Sequence, residues 1–288
     1  MLGVVGGSGV YEIEGLEGAR WEKIGSAFGT PSDEVLIGEH AGLRMVFLPR
    51  HGRGHRLSPS EIDYRANIDA LKRAGVTDLI SVSSCGSLRE DLAPGTFVIV
   101  DDFVDRTRRQ ASFFGGGCVA HVSMARPVCA RLGDRLERAA RDLGLAVVRG
   151  GTYLAMEGPQ FSSRAESELY RSWGCHVIGM TNMPEAKLAR EAEICYASLS
   201  MVTDYDCWHA SHAAVQVGDI VGVLRSNAEA ARRLVARVAG AWSERPTPCP
   251  QGCDRALEHA LITDPRARDP QALRRLAAVA GRVLGAPR

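Results

Sequence analysis

Asp204 and Asp206 stand one residue apart at the end of a run of small and apolar side chains, YASLSMVTDYDCW, from Tyr196 to Trp208. Ala197, Leu199, Met201 and Val202 suit a strand buried on both faces, and open α/β sheets place ligands at the carboxyl ends of such strands. Alternate side chains of an extended segment share a side, so this spacing predicts that both carboxylates face one way. Such a pair can bind a metal, divide acid and base roles, or accept hydrogen bonds from a ring carrying an amino group. The aspartates have no histidine partners at zinc spacing, and no metal is expected there.

Other predicted strand ends also deliver polar groups. Leu2 to Val5 runs into Gly6-Gly7-Ser8-Gly9. Such a loop is either a tight connection or a concavity of free N–H groups for an anion. It matches neither G-x-G-x-x-G nor a loop ending in GK[ST], so neither a Rossmann nor a P-loop fingerprint is present. Residues 34–48 read as a hairpin that delivers Arg50, His51, Arg53, His55 and Arg56. A solvated charge run is the ordinary explanation, but a cluster directly behind a buried strand suits phosphate, whose oxygens match the arginine fork. Val76 to Val82 ends in Ser83-Ser84-Cys85-Gly86-Ser87, read as a hydroxyl-rich loop, and Val177 to Gly179 ends in Met180-Thr181. Strand ends on one edge of a sheet converge, so these groups read as one site. Ser8, Arg50, His51, Ser83, Ser84 and Thr181 suit inorganic phosphate, and the aspartates suit an amino-substituted nitrogen heterocycle.

The elements that must position them alternate along the chain. Ser58, Pro59 and Glu61 predict a capping box opening a helix closed by Gly75, and Ser163 with Glu166 predict another ending at Trp173-Gly174. Residues 131–143 and 226–243 are amphipathic, and two short helices are expected after residue 253. The segment from Asp101 to His121, with Arg106, Arg108 and Arg109, is a long polar loop of the kind that carries function. The predicted fold is α/β, one doubly wound mixed sheet flanked by helices, with residues 1–243 as the main domain and 244–288 as its helical C-terminal extension.

The 288 residues are 45% hydrophobic and 24% charged with a net charge of +1, which gives no reason to expect a nucleic-acid or membrane partner. No apolar run approaches membrane-spanning length and MLGVVGGSG has no basic leader, so the chain reads as cytoplasmic. Of its eight cysteines, Cys85, Cys118, Cys129, Cys175, Cys195 and Cys207 read as buried small hydrophobes. Cys249 and Cys253, in PTPCPQGCD, could form a local disulfide or bind a metal. No second Cys or His pair at zinc spacing accompanies them, so a structural zinc is not expected.

From GGSGVY to about residue 243 the chain resembles the trimeric purine nucleoside phosphorylases, and within them it is most similar to 5'-methylthioadenosine phosphorylases. PRHGRGH, SCGSLRE, FVDRT, EGPQFSSRAES, GMTNMPEAKLA and TDYDCW carry the resemblance. It implies a phosphate site from Ser8, Arg50, His51, Ser83, Ser84 and Thr181, with no cofactor beyond phosphate as co-substrate. It also implies a nucleoside site in which Met180 lies against ribose, Phe161 and Ser162 lie at the base, and Val217 lines the 5'-pocket. His121 would reach a neighbouring subunit's 5'-pocket, making the assembly a homotrimer or a dimer of trimers. Asp204 would share a proton with N7 of the leaving purine and Asp206 would accept from its exocyclic amino group, a pairing that favours 6-amino purines.

Several residues depart from the familiar pattern: Ser8 for threonine, Ser83-Ser84 for Thr-Ala, and Gln160 and Asn182-Met183 on the sugar side. The tail bearing Cys249 and Cys253 resembles that of some prokaryotic members, where cysteine pairs add stability; a disulfide is one reading of the pair here, although a cytoplasmic pair is usually reduced. The implied reaction is phosphorolysis of 5'-methylthioadenosine. The alternatives are a purine nucleoside phosphorylase of broader or different 5'-preference, a hydrolase, and a non-catalytic nucleoside-binding protein on the same fold.

Overall fold

A computed structural model describes residues 1–285 apart from Ser8, Tyr11, 210–216 and 244–245, and the side chains of 217–221 also lie outside the described set. Strands β1 (Leu2–Gly6), β4 (Leu43–Pro49), β5 (Asp78–Ser87) and β11 (Cys195–Asp204) are runs of apolar and small residues, almost all buried. Only a sheet covered on both faces can bury such runs. They lie side by side and parallel in the order β4-β1-β5-β11, with Gly6 opposite both Pro49 and Val82, and Ser83 opposite Ser200. That register brings their carboxyl ends to one edge.

The sheet has 11 strands and is mixed. Strands β2 (Glu17–Glu22) and β3 (Val35–His40) extend it antiparallel beyond β4. On the other side β10 (Val177–Gly179) runs antiparallel to the end of β5 and carries β9 (Thr152–Ala155) and then β7 (Asp102–Asp105). Strand β11 pairs with β6 (Phe97–Ile99), which carries β8 (Val147–Arg149).

Helices cover both faces, as expected. One core holds Val46, Leu48 and Leu79 of the sheet together with residues of α1 (Tyr64–Arg73), α4 (Asn182–Glu191) and α6 (Pro270–Leu284). The other holds Met45, Phe47 and Ile80 with residues of α2 (Ala130–Asp142) and α5 (Val217–Gly240). Successive residues of one strand thus enter opposite cores, the period-two rule applied to a two-sided sheet. Helix α3 (Arg164–Ser172) closes a smaller cluster around Trp208 and Tyr170, and its predicted Ser163/Glu166 capping box is present. No described helix is long and apolar enough to cross a membrane.

Four local expectations are corrected. Ser83 to Ser87 is not a loop: strand β5 continues through it, because β10 and β11 pair with its two edges. Helix α1 does not begin at Ser58. Ser58 and Glu61 form an isolated turn, in which the Ser58 N–H donates to Glu61 at 2.9 Å, and Asp63 caps the helix by accepting from the Ala66 N–H. Instead of two short helices, the tail makes 3-10 turns at Cys253–Arg255 and Pro265–Ala267 and then the single helix α6, with Asp269 as cap and Pro270 in the first turn. Asp206 is not in an extended segment but opens a 3-10 turn, Asp206–Trp208, with φ of 53°.

The cap assignment gives a direct test. Asp63→Ala should cost about 1 kcal/mol in urea unfolding, and Ser58→Ala no more than a few tenths. The reverse order would return the helix start to Ser58.

Candidate active site

Arg50 follows β4 and is one of the most deeply buried side chains, at 1% exposure. Its Nε donates to Glu185 Oε2 at 2.8 Å and its Nη2 to Glu185 Oε1 at 3.1 Å and Ser81 Oγ at 2.7 Å. Nη1 donates to the Val82 carbonyl at 3.2 Å. A guanidinium has five N–H groups, so a single Nη1 hydrogen remains for a ligand. Burial opposes the charge on Arg50, but Glu185 more than offsets it and keeps the group protonated. The Tyr196 hydroxyl also donates to Glu185, and Ser81, Asn182, Ser198 and Ser200 continue the buried polar chain.

His51 is buried beside it and stacks on His55 with ring centroids 4.2 Å apart. Its Nδ1 donates to the Leu57 carbonyl at 2.9 Å. This tautomer leaves Nε2 as an acceptor. Burial, with help from the Arg50 charge, pushes the ring down to about 4, so it is neutral at pH 7.

Ser83 lies on β5 at the level where β1 and β4 end, and its buried Oγ has no hydrogen-bond partner. The buried Tyr153 hydroxyl, also unpartnered, lies between Ser83 and the Thr181 backbone. Thr181 caps α4 without using its own hydroxyl for the cap. Buried hydroxyls without partners are uncommon and costly; those of Ser83 and Tyr153 lie near Arg50, whose Nη1 donates to the Val82 carbonyl next to Ser83, and together they offer donors to an oxyanion. Ser84, the next strand position, points the other way and is exposed. Ser8 lies outside the described residues.

Three residues further along β5, Gly86 lies against both aspartates. A Cβ there would be 3.1 Å from Asp204 Oδ2 and 3.3 Å from Asp206 Cβ, so glycine permits their approach. Asp204 accepts from the Thr203 hydroxyl at 2.6 Å and from the Asp206 N–H at 2.8 Å. The turn conformation of Tyr205 (φ −94°, ψ 19°) brings that N–H back onto Asp204, and strand alternation has no part in it. Asp206 is the more buried carboxyl, and its Oδ2 has no partner. Desolvation raises its pKa; nearby Ser167 opposes the rise and the Asp204 charge adds to it. Burial thus works against ionisation of Asp206, directly beside Asp204, the carboxyl expected to share a proton with the ligand.

Ser162 stands beside Asp206, and its carbonyl accepts from the Cys207 thiol at 3.3 Å. Phe161, adjacent on the same loop, is 57% exposed. Met180 packs its side chain on Gly158. The structure therefore brings Ser162, with Phe161 next to it, to the carboxylate end of the site, and sets Met180 against Gly158 of the same loop. His121 lies elsewhere, exposed on a cavity of about 420 Å³ that it shares with Lys187 and Glu191. The Val217 side chain lies outside the described residues.

A family model described as the phosphorylase superfamily matches residues 1–239. The chain belongs to the phosphorylase superfamily.

It is 64% identical over 285 residues to the S-methyl-5'-thioadenosine phosphorylase of Cereibacter sphaeroides, covering 99% of this chain and 98% of that one. It is 53% identical to the Geobacter sulfurreducens protein of the same name, covering 98% of each chain. Among solved structures it resembles a methylthioadenosine phosphorylase from an antarctic soil metagenomic library, with TM-score 0.89, 44% identity and coverage of 96% and 98%. It also resembles an adenosine/methylthioadenosine phosphorylase mutant from Schistosoma mansoni in complex with methylthioadenosine, with TM-score 0.75, 34% identity and coverage of 84% and 92%.

Two further positioning residues of this superfamily member emerge only in three dimensions. Glu185, in the MPEAKLA stretch, neutralises Arg50. Arg109, in the long polar loop, donates to the carbonyls of Met180, Met183 and Glu157 and to the Tyr64 hydroxyl, fixing the loop that presents Met180. The loop's length was the available signal; which of its arginines turns inward was not readable.

His51 supplies a pH test. Unfolded histidine titrates near 6.5 and the folded ring near 4, so the unfolded chain binds more protons between those values. The stability from neutral His51 is complete above about pH 6.5 and is lost as pH falls toward 4, roughly 2 kcal/mol of it by pH 5. Urea unfolding at pH 7 and pH 5 should show a smaller acid loss in His51→Asn than in the wild type. Equal losses would remove His51 as the cause.

Proposed function

We propose that this chain cleaves the N-glycosidic bond of 5'-methylthioadenosine with inorganic phosphate, releasing adenine and 5-methylthioribose 1-phosphate. The observation that carries this is the spacing along β5. Ser83, in the hydroxyl cradle, and Gly86, against the carboxylates, are three strand positions apart, about 10 Å. That is the span a ribose needs between a phosphate below C1' and a base above it. The names of the relatives supply the same substrate.

Phosphate is held by Ser83, Thr181, the Arg50 Nη1 hydrogen and, by proposal, Ser8 and the Ser84 backbone. Because Glu185 cancels most of the Arg50 charge, the cradle works chiefly through oriented dipoles. The neutral His51 Nε2 suits the hydroxyl of hydrogen phosphate as an acceptor. Cleavage builds positive charge on the ribose and negative charge on the purine. The bound phosphate stabilises the first and then attacks C1'. The carboxyl pair answers the second. The two carboxyls share a proton, Asp204 is oriented by its two donors, and that proton reaches N7 as the bond breaks. Acceptor oxygens then remain for the 6-amino group. Met180, Phe161 and Ser162 contact sugar and base, and Val217 lines the 5'-pocket. His121, exposed and away from its own site, suits contact with a neighbouring subunit. A homotrimer, or a dimer of trimers, working in the cytoplasm in purine and methionine salvage completes the proposal, with phosphate as co-substrate and no cofactor.

Product formation from methylthioadenosine, adenosine and inosine, each with and without phosphate, tests the reaction type. Adenine release that requires phosphate is expected, with methylthioadenosine preferred. Release without phosphate would make the enzyme a hydrolase, and a preference for inosine would overturn the reading of the carboxyl pair.

Two variants test the roles. Asp204→Ala should lower turnover by about 10²–10⁴-fold without unfolding the chain. Ser83→Ala should leave stability nearly unchanged, since its hydroxyl is unpartnered, yet raise the KM for phosphate more than that for the nucleoside. An unaltered phosphate KM would remove Ser83 from the cradle.

A further inference from the structure

The fold draws Cys129, Cys195, Cys249 and Cys253 together although they come from three distant parts of the chain. All four are buried, none is in a disulfide, and their sulfurs lie within 4.8 Å of one another. Cys129 Sγ and Cys249 Sγ are 3.9 Å apart. A disulfide needs about 2.05 Å between sulfurs. A tetrahedron of Zn–S bonds of about 2.3 Å has sulfurs about 3.8 Å apart. The Cys129–Cys249 separation matches the edge of such a tetrahedron and not a disulfide.

The surroundings fit the same occupant. Cys129 is the N-cap of α2, where the helix terminus favours a thiolate. Cys195 opens β11. Cys249 and Cys253 flank a tight turn in which Gly252 takes φ of 65° and donates its N–H to the Cys249 carbonyl at 2.8 Å, a knuckle presenting two sulfurs from one loop. Arg131 lies next to Cys195, paired with Asp78, and its Nε and Nη1 are buried without hydrogen-bond partners. Those donors match thiolate sulfur. Four thiolates around a dication leave two negative charges, and the guanidinium offsets part of them. Gln251 lies at the edge of the cluster, its carbonyl oxygen 3.5 Å from Cys129 Sγ and accepting from the Arg131 N–H at 3.4 Å.

We propose that these four cysteines bind one Zn²⁺ per chain as a closed structural site. Binding releases the thiol protons, involves no change of oxidation state, and leaves no coordination position open for chemistry. The ion staples the 249–253 turn to the start of α2 and the start of β11. Asp204 closes the opposite end of that strand, about 30 Å away along it. The metal therefore serves the stability of the fold and takes no part in the reaction. The sequence could not show this, because two of the ligands are isolated residues among apolar neighbours and only the Cys249/Cys253 pair has a recognisable spacing.

The experiment is elemental analysis of the full chain purified without added metal or chelator, with a thiol count and mass measurement on the denatured, non-reduced protein. The expected result is one zinc per chain, released in step with mercurial titration of the thiols, and a fall of several degrees in the melting temperature once the metal is gone. Reloading with Co²⁺ should give the thiolate charge-transfer and tetrahedral d–d absorption bands. Cys253→Ser should lose most of the metal. Should that variant fail to fold, the mercurial release and the Co²⁺ spectrum of the wild type still decide. A metal-free chain whose mass is lower by the hydrogens of two disulfides would overturn the proposal, and so would a metal-free chain with four free thiols here.

Discussion

Arg50 and Glu185 meet at full burial, 2.8 Å apart, with the rest of the site arranged around them. Burying either charge alone would cost several kcal/mol, so the pair is tolerated only because each satisfies the other and because Ser81, Val82 and Tyr196 take up the remaining valences. This fixes the end of β4 against the start of α4, two elements far apart in sequence. Thr181 caps that helix, and Met180 precedes it, so the pair also sets where the residues proposed to meet phosphate and sugar stand. A charge network of the type that binds anions here mostly holds the sheet and helix in register, with one N–H to spare.

The hydroxyl cradle and the carboxyl pair are two ends of one strand segment. Continuation of β5 past Ser83 keeps the distance between them rigid, whereas a loop there would let it vary. Gly86 lets β11 and its turn press onto the strand, and the left-handed residue Asp206 closes the pair by its own N–H. Catalysis by positioning requires such rigidity. Both features come from β5 being paired on each edge.

Away from the site, the tail is tied into the body at two places. Helix α6 contributes Leu276 and Val279 to the core it shares with α1, and the 249–253 turn lays its cysteines beside those of α2 and β11. The residues past 243 thus complete a hydrophobic face that the rest of the chain leaves uncovered.

The sequence by itself determined the alternation of strands and helices, the strands that are buried on both faces, the ends of α3, and the residue types that gather at the carboxyl edge. These are local properties: apolar periodicity, glycine at turns, a serine and a glutamate three residues apart. The tertiary structure decided the rest. It gave the Arg50 charge to Glu185, carried β5 through a serine-rich stretch that reads as loop, moved the cap of α1 to Asp63, and made Asp206 the more deeply buried carboxyl. It also put four scattered cysteines within one coordination sphere. Each of these depends on which residue, distant in the chain, occupies the neighbouring space and how much water it excludes. Periodicity and spacing carry no information about that.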